Sequence, residues 1–139
     1  MNRSALQSLA EFNERLCVPD VQFGDWHGAE KDSAGVFEMP YVRYSGLVTE
    51  FTKAAYENDW VQPQFHWMAW FASPEHQALV QEPDGLIVAT SGQLSQLLTL
   101  CLRRDRFVEG SLLQDFESGL IQRIVRRATV ILQTEVEQD

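Results

Sequence analysis

The chain has 139 residues, enough for one domain with a sizeable core, and its 45% hydrophobic content is ordinary for a globular protein. Eleven Lys and Arg against twenty Asp and Glu give a formal net charge of −9, which sets the chain against sequence-nonspecific binding to a phosphate backbone. No apolar run reaches the ~20 residues that a membrane span needs, and no basic segment followed by an apolar run suggests a signal peptide. The expectation is therefore a soluble, cytoplasmic protein.

In chain order, the first predicted element is a helix over residues 5–17. Ser4 and Gln7 have the S-x-x-Q spacing of a capping box, with Ser4 as N-cap. Leu6, Leu9, Phe12, Asn13 and Leu16 follow at spacings of three and four, with Asn13 the one polar break, and Pro19 ends the pattern. Residues 18–44 have no clear period and read as a long irregular connection, with a short strand near Tyr41–Tyr44. Connections this long are often functional or partly mobile.

Ser45 is the predicted N-cap of a second helix over 46–58, buried through Leu47, Val48, Phe51, Ala54 and Ala55. An aromatic segment follows, with Trp60, Phe65, Trp67, Trp70 and Phe71. Ser73-Pro74 reads as an N-cap with proline at the first helical position, opening a short helix to about Val80. Pro83-Asp84-Gly85 is a turn, and 86–89 is a strand or a buried link. Thr90 and Gln93 form a second capping box for a helix over 94–105, carried by Leu94, Leu97, Leu98, Cys101 and Leu102.

Ser111 and Gln114 repeat that spacing before Leu112, Leu113 and Phe116, and Gly119 separates this short helix from the last. The last helix, 120–134, has the strongest period in the chain, with Arg123, Arg126 and Arg127 off the stripe of Leu120, Ile121, Ile124, Val125, Ala128, Ile131 and Leu132. Residues 135–139 are acidic and read as a frayed tail. The fold class is mainly α. Residues 1–139 form a single-domain helical bundle with a long irregular connection and at most one or two short strands. The 94–105 helix is expected at the centre, against the 46–58 and 120–134 helices.

The densest charge in the chain is Arg103-Arg104-Asp105-Arg106-Phe107-Val108-Glu109-Gly110, five charged residues in eight. Asp105 lies about three helical turns after Leu94 and so shares a face with Leu94, Leu98 and Cys101. A carboxylate in line with a core stripe is costly unless it is paired or hydrogen-bonded. Asp105 is therefore expected to be largely buried, taking hydrogen bonds from an arginine or from backbone N–H groups near Ser111. Glu109 is expected to hold Arg106 or an arginine of the last helix.

The run Asp105-Arg106-Phe107-Val108-Glu109-Gly110-Ser111-Leu112, then Phe116-Glu117-Ser118-Gly119, then Arg126-Arg127, resembles a family of small bacterial and archaeal proteins. That family carries D-R-F-x-E-G-x-L followed by F-E-x-G and is known as a domain of unknown function. The Trp67 region and Pro40-Tyr41 are similar in a less specific way. The strong part of the likeness covers about a quarter of the chain. It implies a single small domain and no particular chemistry.

Each candidate site has two readings. Asp105, Arg106 and Glu109 form an ion-pair knot that fixes elements, or they line a ligand pocket walled by Trp67 and Trp70. The aromatic residues belong to the core, or they stack on a base, a sugar or a cation. Arg123, Arg126 and Arg127 are a solvated face, or they meet an acidic or anionic partner. His27, His66 and His76 match no metal-ligand spacing, so no metal and no cofactor is expected. Cys17 and Cys101 match no CxxC pattern, and Cys101 reads as a small buried hydrophobe.

No G-x-S-x-G elbow, GxGxxG loop or P-loop is present, so no catalytic residues are assigned. The favoured expectation is a non-catalytic module that recognises a partner protein or a small ligand. The alternative is a small enzyme or ligand pocket built on Asp105, Arg106, Glu109, Trp67 and Trp70. The long apolar stripe of the last helix also suggests a homodimer through its far end, near Ile131, Leu132 and Val136.

Overall fold

The computed structural model describes residues 2–28, 34–36 and 39–138, with side chains described through Thr134. Seven α-helices and one two-stranded antiparallel hairpin make up the regular structure among these residues. The mainly helical expectation is met.

Helix α1 spans Arg3–Ala10 rather than 5–17. Asn2, a strong N-cap residue, takes the Ala5 N–H at 2.8 Å, so the helix starts earlier and Ser4 lies inside it. The chain then turns and finishes in a 3-10 turn, Arg15–Cys17. Phe12 and Leu16 are buried all the same.

Strands β1 (Gly24–His27) and β2 (Tyr41–Tyr44) pair in the register Gly24↔Tyr44 to His27↔Tyr41. The second strand is where the sequence suggested one. The first is not, because Gly24 and Asp25 are poor strand formers. Gly24 is there for space: a Cβ would stand 2.7 Å from the Arg43 carbonyl oxygen.

Helix α2 (Gly46–Glu57) is capped by Ser45, and α4 (Pro74–Gln81) opens on Ser73 with Pro74 in its first turn, both as the local sequence dictates. Helix α3 (Trp67–Phe71) is a single short turn of helix between them. The linker after α4 buries Leu86 and Ala89 but leaves Ile87 and Val88 in solvent.

Helix α5 (Ser91–Arg104) is the most deeply buried element, and its Thr90–Gln93 capping box forms reciprocally at 3.1 and 3.0 Å. It packs on α3, on α6 (Ser111–Glu117) and on α7 (Leu120–Gln138). Helix α2 packs instead on α1 and β2, and α1 lies along α7. The expected neighbour α2 thus lies less closely on α5 than α3 and α6 do, although Thr52 and Tyr56 of α2 and Leu102 of α5 line one depression. The aromatic core explains how α2 reaches the centre: Phe51 meets Phe12 edge-on at 5.3 Å and Phe116 at 5.5 Å, and Phe23 stacks on Phe116 at 5.1 Å.

Two buried hydroxyls on α5 hold the segment after α2. Ser95 donates to the Trp60 carbonyl at 2.8 Å, and Thr99 accepts the Gln62 N–H at 2.9 Å. Trp60 is fully buried and donates its indole N–H to the Ala5 carbonyl at 2.9 Å. Leu132 is also buried, and Ile131 packs partly into the core. The far end of the α7 stripe, where an uncovered apolar patch was expected, is taken up within the chain as far as its side chains are described. No helix among the described residues is long and apolar enough to cross a membrane.

Candidate functional site

The conspicuous charged motif sits between α5 and α6 and fastens the hairpin to the helices. Asp105 is the C-cap residue of α5. Its Oδ1 accepts the Tyr44 hydroxyl at 2.7 Å and the Leu112 N–H at 3.1 Å. Tyr44 Oη in turn accepts the Leu113 N–H at 3.3 Å. Two side chains from outside α6 therefore satisfy its first free N–H groups, and the Ser111–Gln114 capping box does not form. Burial, with the Asp105 carboxylate beside it, pushes the Tyr44 phenol well above its ordinary range and keeps it protonated.

Glu109 accepts the Val42 N–H at 2.7 Å and so grips β2 through its backbone. Gly110 has φ +85, and the Trp26 ring stands against it: a Cβ there would fall 2.2 Å from Trp26 Cζ2. Phe107 meets Trp67 at 6.0 Å.

These contacts correct two expectations, the burial of Asp105 and the partner of Glu109, and bear out a third. Asp105 is half-buried rather than largely buried, because it caps a helix at the edge of the core. Of its two expected kinds of partner the backbone N–H near Ser111 is the one present, joined by the Tyr44 phenol rather than an arginine. Glu109 holds a strand and not Arg106 or α7. Arg106 is exposed and reaches the Tyr56 hydroxyl at 3.4 Å.

The five candidate residues do not converge on one described cleft. Asp105 and Arg106 line a shallow depression with Tyr44, Thr52 and Tyr56. Trp67 lines another with Pro63, His66 and Arg103. Trp70 is buried, edge-on to Phe65 at 5.7 Å and to His76 at 5.2 Å.

A different cleft, about 510 Å³, opens between α4, α5 and α6. At its base Arg104 Nη2 holds both oxygens of Asp115, at 3.0 and 3.3 Å. Asp115 is only 6% exposed. Burial raises its carboxyl above the usual range, and the Arg104 charge and the Cys101 thiol hydrogen bond work against that rise. The Arg104 guanidinium also lies over the Phe71 ring at 5.2 Å.

Cys101 is fully buried, and burial, with the Asp115 charge added, drives its thiol well above its ordinary value. It is a neutral thiol and not an activated nucleophile. His76 is pushed the other way, by burial and then by Arg104, which favours the neutral imidazole. Ser111 Oγ and Arg104 Nε are buried and have no hydrogen-bond partner among the described residues.

Asp115 was not singled out in the sequence, and His76 was weighed there only as a metal ligand. Asp115 carried a signal: it lies three residues after Leu112 and one before Phe116, on the face that α6 buries. His76 carried none, because its role depends on α4 meeting α5.

On the far side of Arg123, which also lines this cleft, is a groove of about 280 Å³. Pro83, Leu86, Ile87 and Val130 form its apolar floor, and Arg123, Arg126 and Arg127 its rim. Arg127 Nε donates to the Ala89 carbonyl at 2.8 Å. Arg123 and Arg126 pair with no carboxylate among the described residues. Nor is there, among those residues, a group of three His, Cys, Asp or Glu placed to hold a metal ion.

No curated protein and no solved structure matches the chain. One family model does, over residues 1–134, so the motif-bearing segment and every described helix belong to the matched region or begin within it. The chain belongs to a family of unknown function, DUF6508.

Proposed function

We propose that the protein is a non-catalytic recognition module whose binding face is the arginine-rimmed groove on α7. The occupant is an acidic, amphipathic segment of a partner protein. The observation that carries this reading is the pairing of an apolar floor with arginines that meet no carboxylate among the described residues, on a chain of net charge −9. Ile87 is 63% exposed at the groove, and Val130 is 42% exposed. Apolar area offered beside cations suits a ligand that alternates apolar and acidic side chains. Arginine is the cation that interfaces favour, since its planar fork meets a carboxylate through two hydrogen bonds. A duplex would meet the rim but would be repelled by the rest of the chain.

Fluorescence anisotropy with labelled octapeptides tests the reading. Alternating Asp-Leu peptides are expected to bind, more weakly as salt rises. Asp-Ser and Lys-Leu peptides are not. Arg126→Glu should weaken the Asp-Leu peptide by about tenfold or more, the scale of an arginine hot spot. Equal binding of all three peptides, or indifference to Arg126→Glu, would overturn the proposal. A dimer by light scattering that Val130→Glu disperses would instead give the groove to a second copy of the chain.

A further inference from the structure

We propose that the cleft between α4, α5 and α6 is a binding site for a small organic carboxylate, separate from the arginine-rimmed groove. Its carboxylate would lie on Arg104 and Ser111, and its apolar body on Val80, Leu97 and Leu100.

The polar inventory points to that ligand class. Ser111 is 8% exposed, lines the cleft and leaves its hydroxyl without a partner. Arg104 uses Nη2 on Asp115 and leaves its buried Nε–H unspent. A guanidinium N–H can only donate, so the missing partner is an acceptor. Buried polar groups are almost always hydrogen-bonded in native proteins, and two unspent ones side by side in a single cleft point to a ligand that accepts from both.

The charges choose the valence. Four titratable side chains other than the Cys101 thiol face the cleft: Arg104, Asp115, His76 and Arg123. Arg104 and Asp115 offset one another, and burial favours neutral His76. Among the described residues, Arg123 at the rim is then the one uncompensated charge. This suits a monoanion better than a phosphate dianion, whose second charge would stay unpaired beside low-dielectric walls. Val80, Leu97 and Leu100 supply apolar wall, and a volume of about 510 Å³ is within the ordinary range of small-molecule sites.

Nuclear magnetic resonance titration of the full chain with benzoate and hexanoate tests this, with benzyl alcohol, hexanol and inorganic phosphate as comparators. The carboxylates should give saturable shifts at millimolar concentration, centred on the Ser111 amide and the Arg104 Nε–H. The alcohols and phosphate should be at least several-fold weaker. Ser111→Ala should weaken the carboxylates about tenfold, as expected for losing one hydrogen bond to a charged acceptor. Its melting temperature should stay level or rise, because it removes an unpartnered buried hydroxyl.

A residue needed only for folding would show the reverse pattern. Arg104→Lys keeps a cation for Asp115 but lacks the Nε–H, and should also lose binding. Alcohols binding as well as carboxylates would overturn the proposal, as would no saturable shift in the cleft or full binding by both variants. Arg126→Glu, outside the cleft, should leave benzoate binding intact, so failure here and failure of the peptide reading are distinct results.

Discussion

Two charged regions lie next to each other at the end of α5, and they use their polar groups in opposite ways. Around Asp105 and Glu109 the polar groups are spent. Asp105 holds Tyr44 and α6, and Glu109 holds β2. Around Arg104 and Asp115 the groups are more deeply buried, and Ser111 Oγ and Arg104 Nε are unspent among the described residues. Adjacent residues in sequence thus serve different ends. Asp105 ends α5 pointing to the hairpin, while Arg104 points to α4 and α6. One charge motif thus divides: Asp105 and Glu109 fasten elements together, while Arg104 turns to a cleft.

The sharpest way to break this contrast is Asp115→Ala. It leaves Arg104, with a side chain 23% exposed, beside a cavity and without its counter-ion. Removing one partner of a buried pair costs about 3–5 kcal/mol, and the partial exposure of Arg104 sets the expectation near the low end. Urea denaturation measures it. A loss under about 1 kcal/mol would mean that the pair is screened and that the two regions are alike.

Asp105→Ala should cost less, about 1–2 kcal/mol, the scale of a lost helix cap. Combined with Tyr44→Phe the loss should be less than additive, because the two side chains cap one helix together. Strict additivity would separate them. Arg106→Ala, in the same motif but exposed, should stay within about 0.5 kcal/mol in the same melts.

The smallest expected effects are in pH dependence, and they distinguish the regions by sign. Tyr44 has its folded pKa raised above the ordinary 10.0. Its contribution to stability is therefore complete below about pH 10 and declines above it, as the unfolded phenol ionises first. His76 has its folded pKa lowered below 6.5, so its contribution is present above that value and is lost as pH falls through it. Stability profiles of Tyr44→Phe and His76→Gln against the parent chain check this. Tyr44→Phe should flatten only the alkaline limb, and His76→Gln only the acid one. An acid limb unchanged by His76→Gln would place His76 in open solvent.

The sequence alone determined the helices whose start signals are answered within a few residues. Ser45, Ser73-Pro74 and Thr90–Gln93 each satisfy N–H groups three residues ahead, so each helix opens at its predicted cap, α5 at Ser91 rather than Leu94. It also determined the buried identity of Leu94, Leu97, Leu98 and Cys101, because helical spacing puts them on one face.

What only the tertiary structure decided is which partner wins when several are within reach. Ser111 and Gln114 have the spacing of a capping box, yet Asp105 and Tyr44 take the N–H groups of Leu112 and Leu113. Tyr44 lies far away in the chain and reaches them through the hairpin. Strand β1 exists because β2 and the Gly110–Trp26 contact hold it, not because its residues favour extension. Likewise Asp115 finds Arg104, and His76 finds the same cleft, through the packing of three helices. Pairing across long sequence distances depends on which elements meet. Local spacing carries that information only as a buried face, never as the identity of the neighbour that covers it.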